Sequence, residues 1–181
     1  LVPLHLIRGY ENGDMVTLTS KYGTQYSFNI NWEHIVTSPS HDDEQFIDFA
    51  LIATSWQVPS FRDITKHFIK GADLPKIEAQ QAYRIEPAEI TNIPQVRFTY
   101  EETIDDHHNG LKVYPVSIVG AGAANPGVCG SPWVIKNDAM FGNVGIIAGI
   151  HTWGAKLGGT IGATPITIED LTAMCEELKE Y

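Results

Sequence analysis

A single cysteine stands between glycines in the segment Gly127-Val128-Cys129-Gly130-Ser131, and a second glycine-framed segment, Gly149-Ile150-His151, follows it. Glycine fills no core and frees the backbone, so a cysteine set between glycines is better suited to chemistry than to packing. In such a turn the sulfur stays accessible and backbone N–H groups point to one spot, as an oxyanion hole requires. Purely structural turns have the same pattern, so Cys129 is a candidate nucleophile that needs a partner.

That partner has to be a base, because a cysteine attacks a carbonyl as its thiolate. His5 lies in the apolar segment 1–7, where a lone imidazole needs a polar group to bond. Asp48 is the single carboxylate of the strand-like run 47–53 and needs pairing for the same reason. The chain order His5, Asp48, Cys129 is that of chymotrypsin-type enzymes. A catalytic base and a hydrogen-bonded core histidine are both open interpretations of His5.

The other histidines before the cysteine indicate no chemistry. His34, His41 and His67 stand in polar loop surroundings. His107 and His108 are predicted at an exposed hairpin tip and lack cysteine or carboxylate ligands at the usual metal spacing. We therefore predict no metal site and no cofactor.

Composition limits the class of protein. The chain has 181 residues and a formal net charge of −10, which argues against a protein whose main task is to coat nucleic acid. It contains no apolar run near the roughly 20 residues that cross a bilayer, so no membrane association is predicted. Its two cysteines, Cys129 and Cys175, are expected to be reduced thiols in a cytosol-like compartment.

Most of the chain is predicted to form strands, with one helix at the end. The β-branched and aromatic runs lie at 15–19, 26–30, 95–100, 112–119 and 145–150, and this spacing is typical of barrels or a sandwich. Thr167 is the expected cap of a C-terminal helix whose apolar face carries Leu171, Met174, Cys175 and Leu178. A polar, proline-containing segment, 76–94, is the predicted linker between an N-terminal half (1–75) and a C-terminal half (95–181).

Five motifs in register resemble one family, the 3C-like cysteine proteases of picorna-like positive-strand RNA viruses. They follow the family's order from residue 2 to residue 154. The motifs are Val2-Pro3-Leu4-His5, Asp48-Phe49-Ala50-Leu51, Phe61-Arg62-Asp63-Ile64, Gly127-Val128-Cys129-Gly130 and Gly149-Ile150-His151.

The resemblance implies an all-β, chymotrypsin-like fold of two antiparallel β-barrel halves with a C-terminal helix. It implies a thiol endopeptidase that cleaves the viral polyprotein, its substrate and partner, in the host cell cytoplasm. By the same resemblance Cys129 is the nucleophile, His5 the general base and Asp48 the group that orients the base. The backbone N–H groups of Gly127 and Cys129 would bind the oxyanion.

The resemblance also implies a substrate pocket for glutamine. His151 would donate a ring N–H to the glutamine side chain, and Gly149 and Ala124 would line the pocket. Ala124 stands where picornavirus members tend to have threonine. The alternative for His151 is an ordinary strand histidine.

Two further expectations come from the family. Its members have several strands before the catalytic histidine, whereas this chain begins four residues before His5. We therefore expect the first half to lack N-terminal strands, which a missing segment of the same protease would supply. The segment Phe61-Arg62-Asp63-Ile64 resembles a viral RNA-binding patch, and a turn with solvated charges is its alternative.

Two rival functions are weighed against this one. Cys129-Gly130-Ser131-Pro132-Trp133 is similar to the papain-type nucleophile segment, but that family needs about 130 residues between its cysteine and its histidine. This chain ends at Tyr181, too soon for that spacing. A non-catalytic β-barrel adaptor that binds RNA or a replication complex stays open as the alternative function.

Overall fold

The computed structural model describes residues 1–20, 22–37, 47–54, 58–60, 62–105, 110–155 and 158–179. Within these ranges the chain forms eleven β-strands and two α-helices. The strands are β1 (Met15–Thr19), β2 (Gln25–Asn29), β3 (Ile35–Thr37), β4 (Ala50–Ile52), β5 (Ala82–Ile85), β6 (Ile90–Ile93), β7 (Arg97–Asp105), β8 (Gly110–Ala121), β9 (Pro132–Ile135), β10 (Ile146–Gly154) and β11 (Thr160–Pro165). The helices are α1 (Asp138–Phe141) and α2 (Ile168–Lys179), and short 3-10 helices cover Leu4–Leu6, Trp32–His34, Thr65–His67 and Gly71–Ile77.

Two small antiparallel sheets, β1 with β2 and β3 with β4, form the N-terminal part of the described chain. Val2 extends the second sheet by pairing with Ala50 of β4. The Val2 N–H donates to the Ala50 carbonyl at 2.9 Å, and the Ala50 N–H donates back at 2.8 Å. This exchange holds the segment that leads to His5 beside the segment that carries Asp48.

The C-terminal part is one antiparallel sheet of seven strands in the order β6-β5-β9-β10-β11-β8-β7. Its core side chains are β-branched or aromatic, as strands that pack on a core favour, and the fully buried ones include Trp133, Ile135, Ile118 and Ile161. β10 is the central strand, paired with β9 on one side and β11 on the other. Gly149 and Ile150 of β10 have partners on both neighbouring strands, so the middle of this strand is constrained from both sides.

The all-β fold class predicted from the strand spacing is confirmed. The predicted strands at 15–19, 26–30, 112–119 and 145–150 overlap β1, β2, β8 and β10, and β7 begins within the predicted strand at 95–100. The hairpin tip predicted at His107 and His108 lies outside the described residues, as does His41.

The segment 76–94, expected to be a linker, contains β5 and β6. β5 pairs with β9 and so joins the large sheet. Ala82 and Arg84 of β5 are buried, with the residues between and after them half-buried, which is the alternation of a strand that packs on one face. This strand was not predicted because Arg84, one of its buried side chains, is charged and makes the segment polar in sequence. The division of the chain into 1–75 and 95–181 stays a prediction.

The predicted C-terminal helix is confirmed as α2. The Asp170 N–H donates to the Thr167 Oγ1 at 3.1 Å and the Thr167 N–H donates to the Asp170 carboxylate at 2.9 Å, which is a capping box. Leu171 and Met174 are buried in an apolar cluster with residues from both parts of the chain: Val36, Phe49, Phe68, Ile150 and Ile166. α2 thus packs against the N-terminal part and β10 together.

Replacing Gly149 should separate two strands of the large sheet. A Cβ at Gly149 would overlap the Thr164 carbonyl oxygen of β11. We expect Gly149→Ala to lower the free energy of unfolding by at least about 2 kcal/mol, because the backbones must move apart to admit one methyl group. Denaturant unfolding followed by circular dichroism measures this. Gly9→Ala is the control, since a Cβ there meets no heavy atom within 4 Å. Equal unfolding midpoints for the two variants would contradict the expectation.

Candidate active site

His5 and Asp48 meet through two hydrogen bonds. The His5 Nδ1 lies 2.6 Å from the Asp48 Oδ2, and the His5 backbone N–H donates to the Asp48 Oδ1 at 2.8 Å. An ionised carboxylate only accepts hydrogen bonds, so Nδ1 carries the ring proton of the neutral imidazole. The other ring nitrogen, Nε2, is left with a lone pair that can take a proton. The two side chains are 29% and 32% exposed, so the pair is accessible from solvent.

Apolar neighbours anchor His5 without burying it. His5 stands in the 3-10 helix Leu4–Leu6, and the Ile7 N–H closes this turn on the Leu4 carbonyl at 3.0 Å. Leu4 and Ile7 are buried in a cluster with Ala50 of β4. The apolar residues around His5 therefore fix the turn, and the imidazole between them points to a polar partner.

A cleft of about 540 Å³ opens beside the pair. It is lined by Leu4, His5, Arg8, Trp32, Thr37, Asp48 and Thr152. Thr152 belongs to β10, whereas the other residues come from the N-terminal part of the chain. The cleft therefore lies where the small sheets meet the large one.

Cys129 reaches the edge of this cleft through Thr152. Its Sγ donates to the Thr152 carbonyl at 3.9 Å. A Cβ on the next residue, Gly130, would lie 3.4 Å from the Pro3 Cδ, so the cysteine loop also approaches the segment before His5. Within the described ranges the thiol makes no hydrogen bond to the His5 ring. The structure brings His5 and Asp48 together in the cleft, whereas Cys129 does not line it and turns its thiol toward β10.

The surroundings of Cys129 keep its proton on the sulfur. Burial raises the pKa of the Cys129 thiol, and the negative charge of Asp48 raises this pKa further. The thiol is therefore protonated at neutral pH. A base would have to remove its proton before the sulfur could act as a nucleophile.

The loop around Cys129 is shaped by glycines and tied to β10. Gly127 and Gly130 have φ angles of +88° and +90°, which other residues rarely adopt. The Gly130 N–H donates to the His151 carbonyl and the His151 N–H donates to the Ser131 carbonyl, both at 2.8 Å. The backbone N–H groups of Gly127 and Cys129 have no acceptor among the described residues. The loop thus leaves two donors unused close to the sulfur.

His151 lies behind this loop and is 1% exposed. Its ring stacks on Trp133 with centroids 6.1 Å apart and planes 25° apart, and its Nδ1 is buried without a hydrogen-bond partner among the described residues. Burial lowers the pKa of His151 to about 4; the charge of Arg84 also lowers it and that of Glu86 raises it. The imidazole is therefore neutral at pH 7 and offers one N–H donor and one acceptor. His151 does not line the cleft beside His5, and its pocket role stays a prediction.

A buried ion pair near His151 was missed in the sequence. The Arg84 Nε donates to the Glu86 Oε1 at 2.6 Å and the Arg84 Nη1 donates to the Ala123 carbonyl at 2.9 Å. The Thr91 hydroxyl donates to the same Glu86 oxygen at 2.9 Å. The two charged side chains are 1% and 8% exposed, so this pair is one whose disruption would be costly. The alternation along β5 was the available signal, and the interpretation of 76–94 as a linker concealed it.

Gly149 and Ala124, expected to line the pocket, both contact neighbouring backbone or methyl groups. Gly149 faces the Thr164 carbonyl of β11, which gives a packing reason for a glycine there. Ala124 is exposed and lies directly against Gly154 at the end of β10. The pocket roles of both residues stay predictions.

The segment expected to bind RNA is described only in part, because Phe61 lies outside the described residues. Arg62 and Ile64 are exposed. The Asp63 carboxylate accepts the Thr65 N–H at 2.9 Å, and this bond is the main cause that lowers the pKa of Asp63. Asp63 therefore has a local capping role, and RNA binding stays a prediction.

Four cleft residues were not singled out in the sequence. Arg8, Trp32, Thr37 and Thr152 line the cleft, and the Thr152 carbonyl also accepts the Cys129 hydrogen bond. Arg8 follows His5 by three residues, and this spacing places two residues on the same side of a helical turn. The sequence could therefore have indicated that Arg8 lies near His5. The main-chain carbonyl of Thr152 has no signature in the sequence, because any residue at that position carries one.

In the described ranges, no three His, Cys, Asp or Glu side chains cluster in a way that could hold a metal ion. Neither α1 nor α2 has the length and apolar composition of a membrane-spanning helix.

Comparisons with known proteins point to viral polyproteins. No protein-family profile matches this chain. It is 28% identical over 164 residues to the genome polyproteins of human hepatitis A virus genotype IIB (isolate SLF88) and genotype IA (isolate HAS-15). The match covers 86% of this chain and spans 7% and 8% of the length of these curated relatives. Among solved structures, the murine norovirus NS6 protease, in an inactive mutant form, is similar at a TM-score of 0.40 and 16% identity, over 91% of this chain and 81% of that one.

The buried neutral His151 should make stability depend on pH. The folded pKa of His151 is about 4, below its ordinary value of 6.5. Between pH 4 and pH 6.5 the His151 imidazole therefore binds a proton in the unfolded chain but not in the folded chain. We expect the free energy of unfolding to fall as pH drops from 6.5 toward 4, by at most about 1.4 kcal/mol per pH unit from this residue. Urea titrations across this range measure the slope.

Two variants isolate the contribution of His151. His151→Gln should reduce the slope between pH 4 and 6.5, whereas His34→Gln, which replaces an exposed histidine, should keep the slope of the parent chain. Parallel curves for the parent and His151→Gln would show that the imidazole is not the group involved.

Proposed function

We propose that this chain is a viral cysteine endopeptidase that cleaves a polyprotein after glutamine. The observation that carries the proposal is the two-point contact of Asp48 with His5, in a cleft that is also lined by Thr152, the hydrogen-bond acceptor of Cys129. The similarity to hepatitis A virus polyproteins over 86% of the chain supports the viral origin and the polyprotein substrate.

His5 acts as the general base in this mechanism. Asp48 holds the proton on Nδ1, so Nε2 is the nitrogen that accepts the Cys129 proton. The protonated resting thiol, caused by burial and by the charge of Asp48, makes this transfer necessary. The Cys129 side chain must turn from the Thr152 carbonyl toward His5 when substrate binds, and catalytic hydrogen bonds commonly tighten at that stage.

The reaction then proceeds in two steps. The Cys129 Sγ bonds to the scissile carbonyl carbon, and the oxyanion accepts hydrogen bonds from the unused N–H groups of Gly127 and Cys129. The imidazolium of His5 gives its proton to the leaving amine as the C–N bond breaks. Water, deprotonated by His5, then attacks the thioester, which releases the carboxylic acid and restores the thiol.

His151 provides the preference for glutamine in this proposal. Its environment keeps the ring neutral. Because the buried Nδ1 has no hydrogen-bond partner among the described residues, no bond at that atom fixes the tautomer. A neutral N–H donor binds an amide carbonyl and penalises a side chain that lacks one. Arg84 supports the neutral form because its charge opposes protonation of the ring.

Removing the nucleophile should abolish cleavage. We expect Cys129→Ala to lose all processing of precursors that contain the adjoining polyprotein junctions, because no other group can form the thioester. Cys175→Ala is the matched control: Cys175 is also a free, half-exposed thiol and lies in α2, far along the chain from the loop. Gel analysis of the cleavage products measures both variants. Equal processing by the parent and Cys129→Ala would show that Cys129 is not the nucleophile. Absence of processing by the parent would favour the non-catalytic RNA-binding adaptor.

Removing the charge of Asp48 should have opposite effects on catalysis and on thiol ionisation. We expect Asp48→Asn to lower kcat by at least about tenfold, because His5 loses the group that sets its tautomer. The same change removes a charge that raises the pKa of Cys129, so the thiol should ionise at lower pH. Peptide hydrolysis measures the first effect, and the pH profile of Cys129 alkylation by iodoacetamide measures the second.

A change that merely loosens the fold would not give this pair of results. Asp73→Asn is the control, because Asp73 pairs with Lys76 in a 3-10 helix outside the cleft. It should alter neither the rate nor the alkylation profile. A slower Asp48→Asn enzyme with an unshifted alkylation profile would contradict the assigned position of the carboxylate.

A further inference from the structure

Arg8 enters the cleft on the same side of the chain as His5. The Arg8 N–H donates to the Leu4 carbonyl at 3.0 Å, so one helical turn separates the two residues in space. Residues three apart on such a turn are neighbours, with Cβ atoms about 5–6 Å apart. Both side chains line the cleft. The guanidinium is therefore placed close to the ring that would act on the scissile bond.

The wall beside Arg8 is apolar and held in place. The Trp32 Nε1–H donates to the Tyr10 carbonyl at 2.9 Å, and the Trp32 N–H donates to the Asn12 Oδ1 at 2.8 Å. Leu4 is 9% exposed and packs in the core behind the cleft. A substrate side chain that enters here meets fixed apolar surface and one cation, not a surface that rearranges around it.

The Arg8 guanidinium forms no ion pair within the described part of the chain. The ion pairs there join His5 to Asp48, Lys76 to Asp73 and Arg84 to Glu86, and Arg8 is in none of them. Other exposed basic residues of the described ranges, Arg62 and Arg97 among them, are also in no ion pair, but Arg8 is the one arginine or lysine among the residues that line the cleft. Asp48, the carboxylate that shares the cleft, has both oxygens bonded to His5.

These observations favour a carboxylate from outside as the partner of Arg8. A guanidinium is always charged and its planar fork matches a carboxylate. We propose that Arg8 determines specificity by binding an acidic side chain, Asp or Glu, of the peptide substrate. This inference rests on the proposed endopeptidase function. Since an extended peptide advances about 3.3 Å per residue, the acidic side chain lies within about three residues of the scissile bond.

A charge-swap experiment tests this proposal. Peptides that carry Glu, Gln or Lys in turn at each of the three positions on either side of the scissile bond are cleaved by the parent enzyme, Arg8→Gln and Arg8→Glu. The measured quantity is the ratio of kcat/KM for the Glu peptide to that for the Lys peptide, taken within each enzyme. A general loss of activity cancels in this ratio.

We expect the parent enzyme to prefer Glu over Lys by about tenfold at one position, as a partly exposed charge pair would give. Arg8→Gln should bring that ratio near one and Arg8→Glu should invert it. Arg97→Gln, which replaces an exposed arginine on β7 outside the cleft, should keep the parent ratio. The parent preference should also weaken as salt is raised.

The outcomes separate this inference from the function on which it rests. Cleavage that depends on Cys129 but shows the same ratio in the parent and Arg8→Glu enzymes would overturn the role of Arg8 alone. Absence of cleavage of every peptide by the parent enzyme would overturn both proposals.

Discussion

One carboxylate, that of Asp48, organises the N-terminal side of the cleft. Its two oxygens bond the backbone and the ring of the same residue, His5, so a single group fixes both the turn and the tautomer. A charge at a half-buried position must be paired, and this pairing requires two distant segments to lie side by side. The exchange between Val2 and Ala50 supplies that alignment. The geometry of the site thus depends on main-chain bonds as much as on the side chains of His5 and Asp48.

The other side of the cleft depends on β10. Three of its residues contribute in different ways. His151 is buried against Trp133, the Thr152 carbonyl accepts the hydrogen bond from the Cys129 thiol, and Gly149 leaves room for the backbone of β11. The pairing with β11 shifts register between His151 and Trp153, which marks a bulge beside the site. Bulges re-aim side chains and often stand next to active sites. A central strand with neighbours on both sides can hold such an irregularity in a fixed place.

The pairing of His5 with Asp48 could be expected from the sequence, because a lone imidazole and a lone carboxylate in apolar runs each need a partner. In the large sheet, β7, β8 and β10 were predicted from the sequence, whereas β5, β6, β9 and β11 were not. In β5 the reason is visible. There a buried arginine breaks the apolar alternation, and its ion pair with Glu86 appears only in three dimensions. The carbonyl of Thr152 could not be found at all, since backbone groups carry no signature of their own. Sequence patterns identify side chains that need partners and fail where the partner is main chain.

The electrostatics of the site keep its key groups uncharged at rest. Burial holds the proton on Cys129 and off His151, and in both cases a neighbouring charge acts in the same direction. For Cys129 that charge is Asp48, the group that also bonds the His5 ring. The same carboxylate therefore disfavours a free thiolate and fixes the orientation of the imidazole. In the proposed mechanism the thiol stays neutral until a base removes its proton.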